Sequence, residues 1–172
     1  MVAEYSETKN PVNSRGIEMS NSQPLIRARS SIGDAAVDGL LNGVAAGIVM
    51  AIYLVISGVL TGVGIVATLS AFDLGQGTSP VRGVLIHLAM AAIYGIVFSL
   101  LYRLLGRRRS IGRGGTISMG VTFGLLLLLI TQIAFATGIN VALSSLPTVH
   151  LAVAHVIYGA VLGWLTGRAR ME

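Results

Sequence analysis

The chain has 172 residues, of which 53% are hydrophobic and 11% charged, and its mean hydropathy is +0.79. Since about a quarter of the residues in soluble domains are charged, this composition excludes an ordinary soluble protein and indicates an integral membrane protein. The net charge of +5 does not favour a nucleic-acid partner, because the arginines flank apolar segments, and the lack of cysteine excludes disulfides and thiolate chemistry.

The first 32 residues differ from the rest of the chain. They are rich in Ser, Asn, Glu and Pro and have no apolar periodicity, which predicts a disordered cytoplasmic tail over 1–32 and a membrane domain over 33–172. They also lack the basic start, apolar middle and cleavage site of a signal peptide. The first apolar segment is therefore expected to insert the protein.

Four long apolar segments predict an all-α bundle of four transmembrane helices, spanning about 36–66, 80–105, 115–139 and 147–167. The first segment is longer than the roughly 20 residues that a span needs, so it must tilt or break. Gly58, Gly62 and Gly64 mark the expected break. The connection that follows, up to Pro80, is predicted to be a loop with a short interfacial helix.

Asp34, Asp38 and Asn42 are spaced four residues apart at the start of the first span, so they share one helix face. Acids near a helix N-terminus interact favourably with the helix dipole, which is the simplest explanation for this polar face on the cytoplasmic side. A proton or cation relay is the alternative.

A basic segment, residues 103–113, separates the chain into two halves. The number of basic residues differs between the loops on the two sides of the bundle. Under the positive-inside rule, this difference places both termini and this segment in the cytoplasm. The chain resembles small four-span proteins of the bacterial inner membrane, so a plasma or inner membrane location is predicted. Contact with anionic lipids is predicted for four arginines of the segment: Arg107, Arg108, Arg109 and Arg113.

The two halves resemble each other. His87 and Tyr94-Gly95 of the second span have counterparts in His150 and Tyr158-Gly159 of the fourth, although one more residue separates His from Tyr there. This predicts a parallel internal repeat of two helices, with chance similarity as the alternative. Glycine pairs at four-residue spacing are expected to pack the helices of one bundle, with dimerisation as the weaker interpretation.

Polar residues predicted at depth in the bilayer are the candidate site, because such residues are costly there. The predicted layer lies in the half of the bundle away from the basic segment and consists of His87, Gln132, His155, Tyr53 and Tyr94. Three hypotheses are open. The layer fixes helix register, two imidazoles hold a b-type haem, or the layer binds a quinone, another small molecule or a metal ion.

The motifs of hydrolytic and phosphate-binding enzymes are missing from the sequence, so a non-catalytic protein is expected. The predicted function is an accessory or scaffolding subunit of a membrane assembly, or a homo-oligomer, with lipids and other membrane subunits or further copies as partners. The alternative is a redox or small-solute or ion transport protein that uses the His87, Gln132 and His155 layer.

Overall fold

The computed structural model describes residues 31–73, 79–106, 112–138 and 146–168, and within them it is all-helical. Five helices follow one another along the chain: α1 (Ile32–Leu60), α2 (Ile65–Ser70), α3 (Pro80–Gly106), α4 (Arg113–Ala136) and α5 (Thr148–Arg168). The predicted all-α fold is confirmed.

Four of these helices, α1, α3, α4 and α5, are long and apolar enough to cross a membrane. Their outward faces carry large exposed apolar side chains such as Ile52, Leu101 and Leu129. Exposed apolar side chains in such numbers suit contact with lipid and not with water. The chain is therefore a multi-pass membrane protein.

The first helix begins at a capping box. The Ser31 hydroxyl accepts from the Asp34 amide at 3.0 Å, and the Asp34 carboxylate accepts from the Ser31 amide at 2.6 Å. Arg103, near the end of α3, donates to the Ser31 carbonyl oxygen. The start of α1 and the end of α3 therefore lie together at one end of the bundle, which we call the basic end.

The first apolar segment breaks where glycines permit it. Gly62 and Gly64 have φ values of 83° and 81°, a left-handed conformation that L side chains rarely adopt. The chain turns there into the short α2, so α1 ends at Leu60, six residues before the predicted end at residue 66. Gly58 lies within α1 and packs against Thr68 of α2.

Two antiparallel helix pairs are closely packed through glycine. Gly43 of α1 lies against Ala91 and Gly95 of α3, and a Cβ atom on either glycine would overlap the opposite backbone. In the second pair, Gly120 of α4 meets Gly159 of α5 in the same way. These glycines thus pack the helices within the bundle.

The helix pairs make matching contacts, with Gly43 and Gly95 in the first pair taking the places of Gly120 and Gly159 in the second. In this correspondence, Tyr94-Gly95 of the first pair is equivalent to Tyr158-Gly159 of the second. The position equivalent to His155 is Ala91 and not His87. An origin of the pairs by duplication stays a prediction.

The pairs join mainly through α1 and α5. A hydrogen bond also crosses the bundle, because the Tyr158 hydroxyl of α5 donates to the Ala91 carbonyl of α3 at 2.8 Å. The ring of Phe98, fully buried on α3, lies 5.4 Å from that of Phe123 on α4. Aromatic side chains thus fill the space between α3 and α4 toward the basic end.

Candidate ligand-binding cleft

A cavity of about 310 Å³ lies between the two helix pairs, in the half of the bundle away from the basic end. All four long helices contribute to its wall, together with Phe72, which follows α2. Its polar lining is small and consists of five side chains: His87, Tyr94, Thr131, His155 and Tyr158. The other side chains of the wall are apolar. A mostly apolar cavity with a few polar groups is typical of small-molecule sites.

The cavity exists because the space between α3 and α4 is filled unevenly. Toward the basic end, Phe98 and Tyr102 of α3 meet Phe123 and Thr116 of α4, and the Thr116 hydroxyl lies 3.3 Å from that of Tyr102. Toward the other end, the same gap is bordered by smaller groups such as Ala91 and Ala134. The bundle is therefore tight in one half and open in the other.

The cavity opens sideways between α3 and α4. Met90 and Ile130 both line it, and their side chains are 36% and 55% exposed on the outer surface of the bundle. Since this surface faces the hydrocarbon of a bilayer, a ligand would enter from the membrane. We call this cavity the α3–α4 cleft.

His87 is held in the wall of the cleft by two contacts. Its Nε2 atom lies 3.0 Å from the Gly47 carbonyl oxygen of α1, and its ring stacks on that of Phe72 with the ring centroids 4.5 Å apart. A carbonyl oxygen only accepts, so Nε2 carries the proton of a neutral imidazole. The Nδ1 atom has no hydrogen-bond partner among the described residues.

His155 lies on the opposite helix pair and is buried. Its Nδ1 atom lies 2.8 Å from the Leu151 carbonyl oxygen, one turn earlier in α5, and its Nε2 atom lies 3.4 Å from the Thr131 hydroxyl oxygen. The Thr131 hydroxyl also lies 2.9 Å from the Leu127 carbonyl oxygen, to which it donates. Each helix pair thus contributes one imidazole to the cleft.

Two tyrosines complete the polar lining. The Tyr158 hydroxyl hydrogen is used in the bond to the Ala91 carbonyl. The Tyr94 hydroxyl has no hydrogen-bond partner within the described part of the chain and is half-buried in the wall. The Tyr94 hydroxyl therefore has both a donor and an acceptor to offer.

The cleft brings together three of the five residues of the predicted polar layer, His87, Tyr94 and His155. Tyr53 points elsewhere, since its hydroxyl lies 3.2 Å from Nδ1 of His150. Gln132 is half-buried but does not line the cleft.

The lining residues that were not predicted as site residues include Phe72, Thr131 and Tyr158. For Thr131 a signal exists in the sequence. It follows Gly124 by seven residues and therefore shares its helix face, whereas Gln132 is turned by about 100° from Thr131. Phe72 belongs to the connection after α2 and has no such periodic signal.

The other predicted polar residues lie away from the cleft. Asp34 caps α1, Asp38 is exposed and Asn42 is half-buried, all toward the basic end. The guanidinium of Arg113 lies 5.9 Å from the ring centroid of Trp164. Three of the predicted lipid-binding arginines, Arg107, Arg108 and Arg109, and residues 1–30 of the predicted tail lie outside the described residues.

Metal or haem binding has limited support from these side chains. Among the described residues, no group of three His, Cys, Asp or Glu side chains is arranged to hold a metal ion. A haem iron held by two imidazoles would need a free nitrogen on each. Nε2 of His87 is occupied by the Gly47 carbonyl, so His87 could ligate only through Nδ1 or by giving up this bond.

Residues 34–172 match the model of a family described as "Family of unknown function (DUF6789)", and the chain belongs to this family. The match covers all five helices except the first two residues of α1. No curated protein and no solved structure matches the chain at a significant level.

Proposed function

We propose that this member of the DUF6789 family is a non-catalytic membrane protein that binds a lipid-soluble small molecule in the α3–α4 cleft. The observation that carries the proposal is a cavity of about 310 Å³ between two helix pairs, each of which is packed backbone to backbone. This volume lies at the lower end of the range of about 300–1,000 Å³ for small-molecule sites.

The polar groups of the cleft also support binding. A hydrogen-bonded layer that only fixed helix register would pair its groups with one another, because unpaired polar groups in a bilayer are costly. In the cleft, Nδ1 of His87 and the hydroxyl of Tyr94 have no partner among the described residues. A ligand with polar groups of its own would complete these bonds.

The other hypotheses from the sequence have less support. A b-type haem would require His87 to give up its bond to Gly47 or to ligate through Nδ1. A path for an ion or a hydrophilic solute would need polar walls, whereas most of the cleft wall is apolar. An accessory or scaffolding role without a ligand is the remaining alternative, and it predicts an empty cleft.

The test uses a substitution that fills the cleft and leaves the polarity of the outer surface unchanged. Ala134→Phe places a ring in the wall of the cleft, while Ala136→Phe adds the same ring at an exposed position two residues away on α4. Each protein is purified from its native membrane and extracted with organic solvent, and the extracts are compared by mass spectrometry.

We expect one organic molecule to accompany the wild-type protein and Ala136→Phe in stoichiometric amounts, and to be lost from Ala134→Phe. If the three folded proteins give the same extract, the cleft is not a binding site and the scaffolding role is favoured.

A further inference from the structure

Resting on the proposed function, we infer that the cleft selects a ligand that donates hydrogen bonds, and that this ligand is a phenol-type aromatic alcohol with an apolar tail. The polar groups that line the cleft already donate nearly all of their hydrogen atoms to main-chain carbonyls. These groups therefore present lone pairs to the cleft.

The imidazoles show this first. A neutral imidazole has one N–H and one lone pair, and the N–H lies wherever a carbonyl oxygen accepts from it. In His87 the carbonyl partner is Gly47, bonded to Nε2, and in His155 it is Leu151, bonded to Nδ1. The lone pairs therefore lie on Nδ1 of His87 and on Nε2 of His155, and Nε2 of His155 shares the hydrogen of the Thr131 hydroxyl, 3.4 Å away, with the Leu127 carbonyl.

The hydroxyl groups repeat the pattern. Thr131 donates its hydrogen to the Leu127 carbonyl, and Tyr158 donates its hydrogen to the Ala91 carbonyl. Both oxygens keep lone pairs with which they can accept. Tyr94 is the single lining side chain in the described part of the chain whose hydrogen has no acceptor.

The cleft thus offers three acceptors with free lone pairs, Nδ1 of His87 and the hydroxyl oxygens of Thr131 and Tyr158, and one donor, the Tyr94 hydroxyl. A quinone, whose oxygens only accept, would find one donor and would face buried lone pairs with no partner. A hydroxyl group donates to an imidazole and can also accept from Tyr94. Since a buried polar group without a partner is costly, the cleft favours a ligand that donates over one that only accepts.

The shape of the cleft favours an aromatic ring with an apolar tail. The rings of Phe72, Tyr94, Phe135 and Tyr158 line the wall and can stack on a flat ligand. The volume of about 310 Å³ suits a headgroup, and the opening between Met90 and Ile130 lets a tail extend into the bilayer.

The test compares 4-nonylphenol with 4-nonylanisole, its methyl ether, which has the same ring and tail but no donor. Each compound is titrated calorimetrically into the full-length protein in lipid nanodiscs, and empty nanodiscs serve as the blank. The affinity is expressed relative to the amount of the compound that is dissolved in the bilayer. We expect the phenol to bind about tenfold more tightly, as one hydrogen bond of about 1.4 kcal/mol provides.

Substitutions of the histidines test whether the imidazoles cause the preference for the phenol over the ether. His87→Phe removes a free acceptor, and His155→Phe removes the imidazole that shares the hydrogen of Thr131. At least one of these variants should reduce the preference for the phenol to less than about threefold. His150→Phe is the matched control, because His150 pairs with Tyr53 and does not line the cleft. This variant should keep the full preference.

The outcomes separate the two proposals. Equal binding of phenol and ether, both abolished by Ala134→Phe, overturns the inference about donors and leaves the cleft as a binding site. A preference that survives in both cleft histidine variants also overturns it. Binding that Ala134→Phe does not change contradicts the proposed function itself.

Discussion

At the scale of single residues, the hydrogen bond from Tyr158 to the Ala91 carbonyl links the two helix pairs in the wall of the cleft. It joins two buried groups across the bundle. Hydrogen bonds between membrane helices contribute about 0.6 kcal/mol on average, and buried bonds in proteins generally about 1 kcal/mol.

Tyr158→Phe should therefore lower the free energy of unfolding by about 0.5–1.5 kcal/mol, measured by SDS titration of the protein in mixed micelles. Tyr94→Phe is the control for the ligand-free protein, because the Tyr94 hydroxyl bonds to no described residue, and its unfolding should match that of the wild type. Equal losses in both variants would contradict the role given to Tyr158.

The individual site residues were partly predictable. Histidines in an apolar segment stand out, so the sequence indicated His87 and His155, and both line the cleft. Tyr53 was expected at the same depth, but depth does not determine direction, and its side chain pairs with His150. The direction of each hydrogen bond depends on the backbone of neighbouring helices, which the sequence does not reveal.

At the scale of helices, glycine sets how closely they pack. Gly95 of α3 lies against Gly39 and Gly43 of α1, where an added methyl group would meet the opposite main chain. The helices would have to separate, and such overpacking typically costs about 1–3 kcal/mol.

We expect Gly95→Ala to lower the free energy of unfolding in mixed micelles by this amount, about 1–3 kcal/mol. Gly114→Ala is the matched control, because it lies in the first turn of α4 with open space around it, and alanine favours a helix over glycine. It should be neutral or slightly stabilising. Similar stabilities of the two variants would mean that the α1 and α3 backbones are not in close contact.

The helices themselves were largely predictable from the sequence, because a bilayer requires long apolar segments. The break after the first segment was also indicated, by Gly62 and Gly64, which have positive φ values. What the pattern did not indicate is which helices pair. Gly43 and Gly47 could pack on any helix with small residues, and the choice of α3 depends on the fit of whole surfaces.

At the scale of the whole molecule, the two ends of the bundle differ in their side chains. The basic end gathers the start of α1 with Arg103, and it holds Arg113 and Arg168 near Trp164. The cleft lies in the opposite half. The cytoplasmic location of the basic end stays a prediction from charge, and it would place the cleft in the outer leaflet.

A lipid-soluble alcohol bound in the cleft has to be distinguished from one that merely dissolves in the lipid around the bundle. Both locations are apolar, so the position of the bound alcohol distinguishes them more directly than its affinity does. Position is read from a photoreactive 4-alkylphenol with a diazirine next to the ring, irradiated with the full-length protein in nanodiscs and mapped by peptide mass spectrometry.

If the alcohol occupies the cleft, cross-links form at cleft residues such as Met90, Leu127 and Ala134, and they disappear with excess 4-nonylphenol and in Ala134→Phe. Cross-links spread over lipid-facing residues such as Ile52 and Leu129, unchanged by the competitor, would show that the alcohol only dissolves in the lipid.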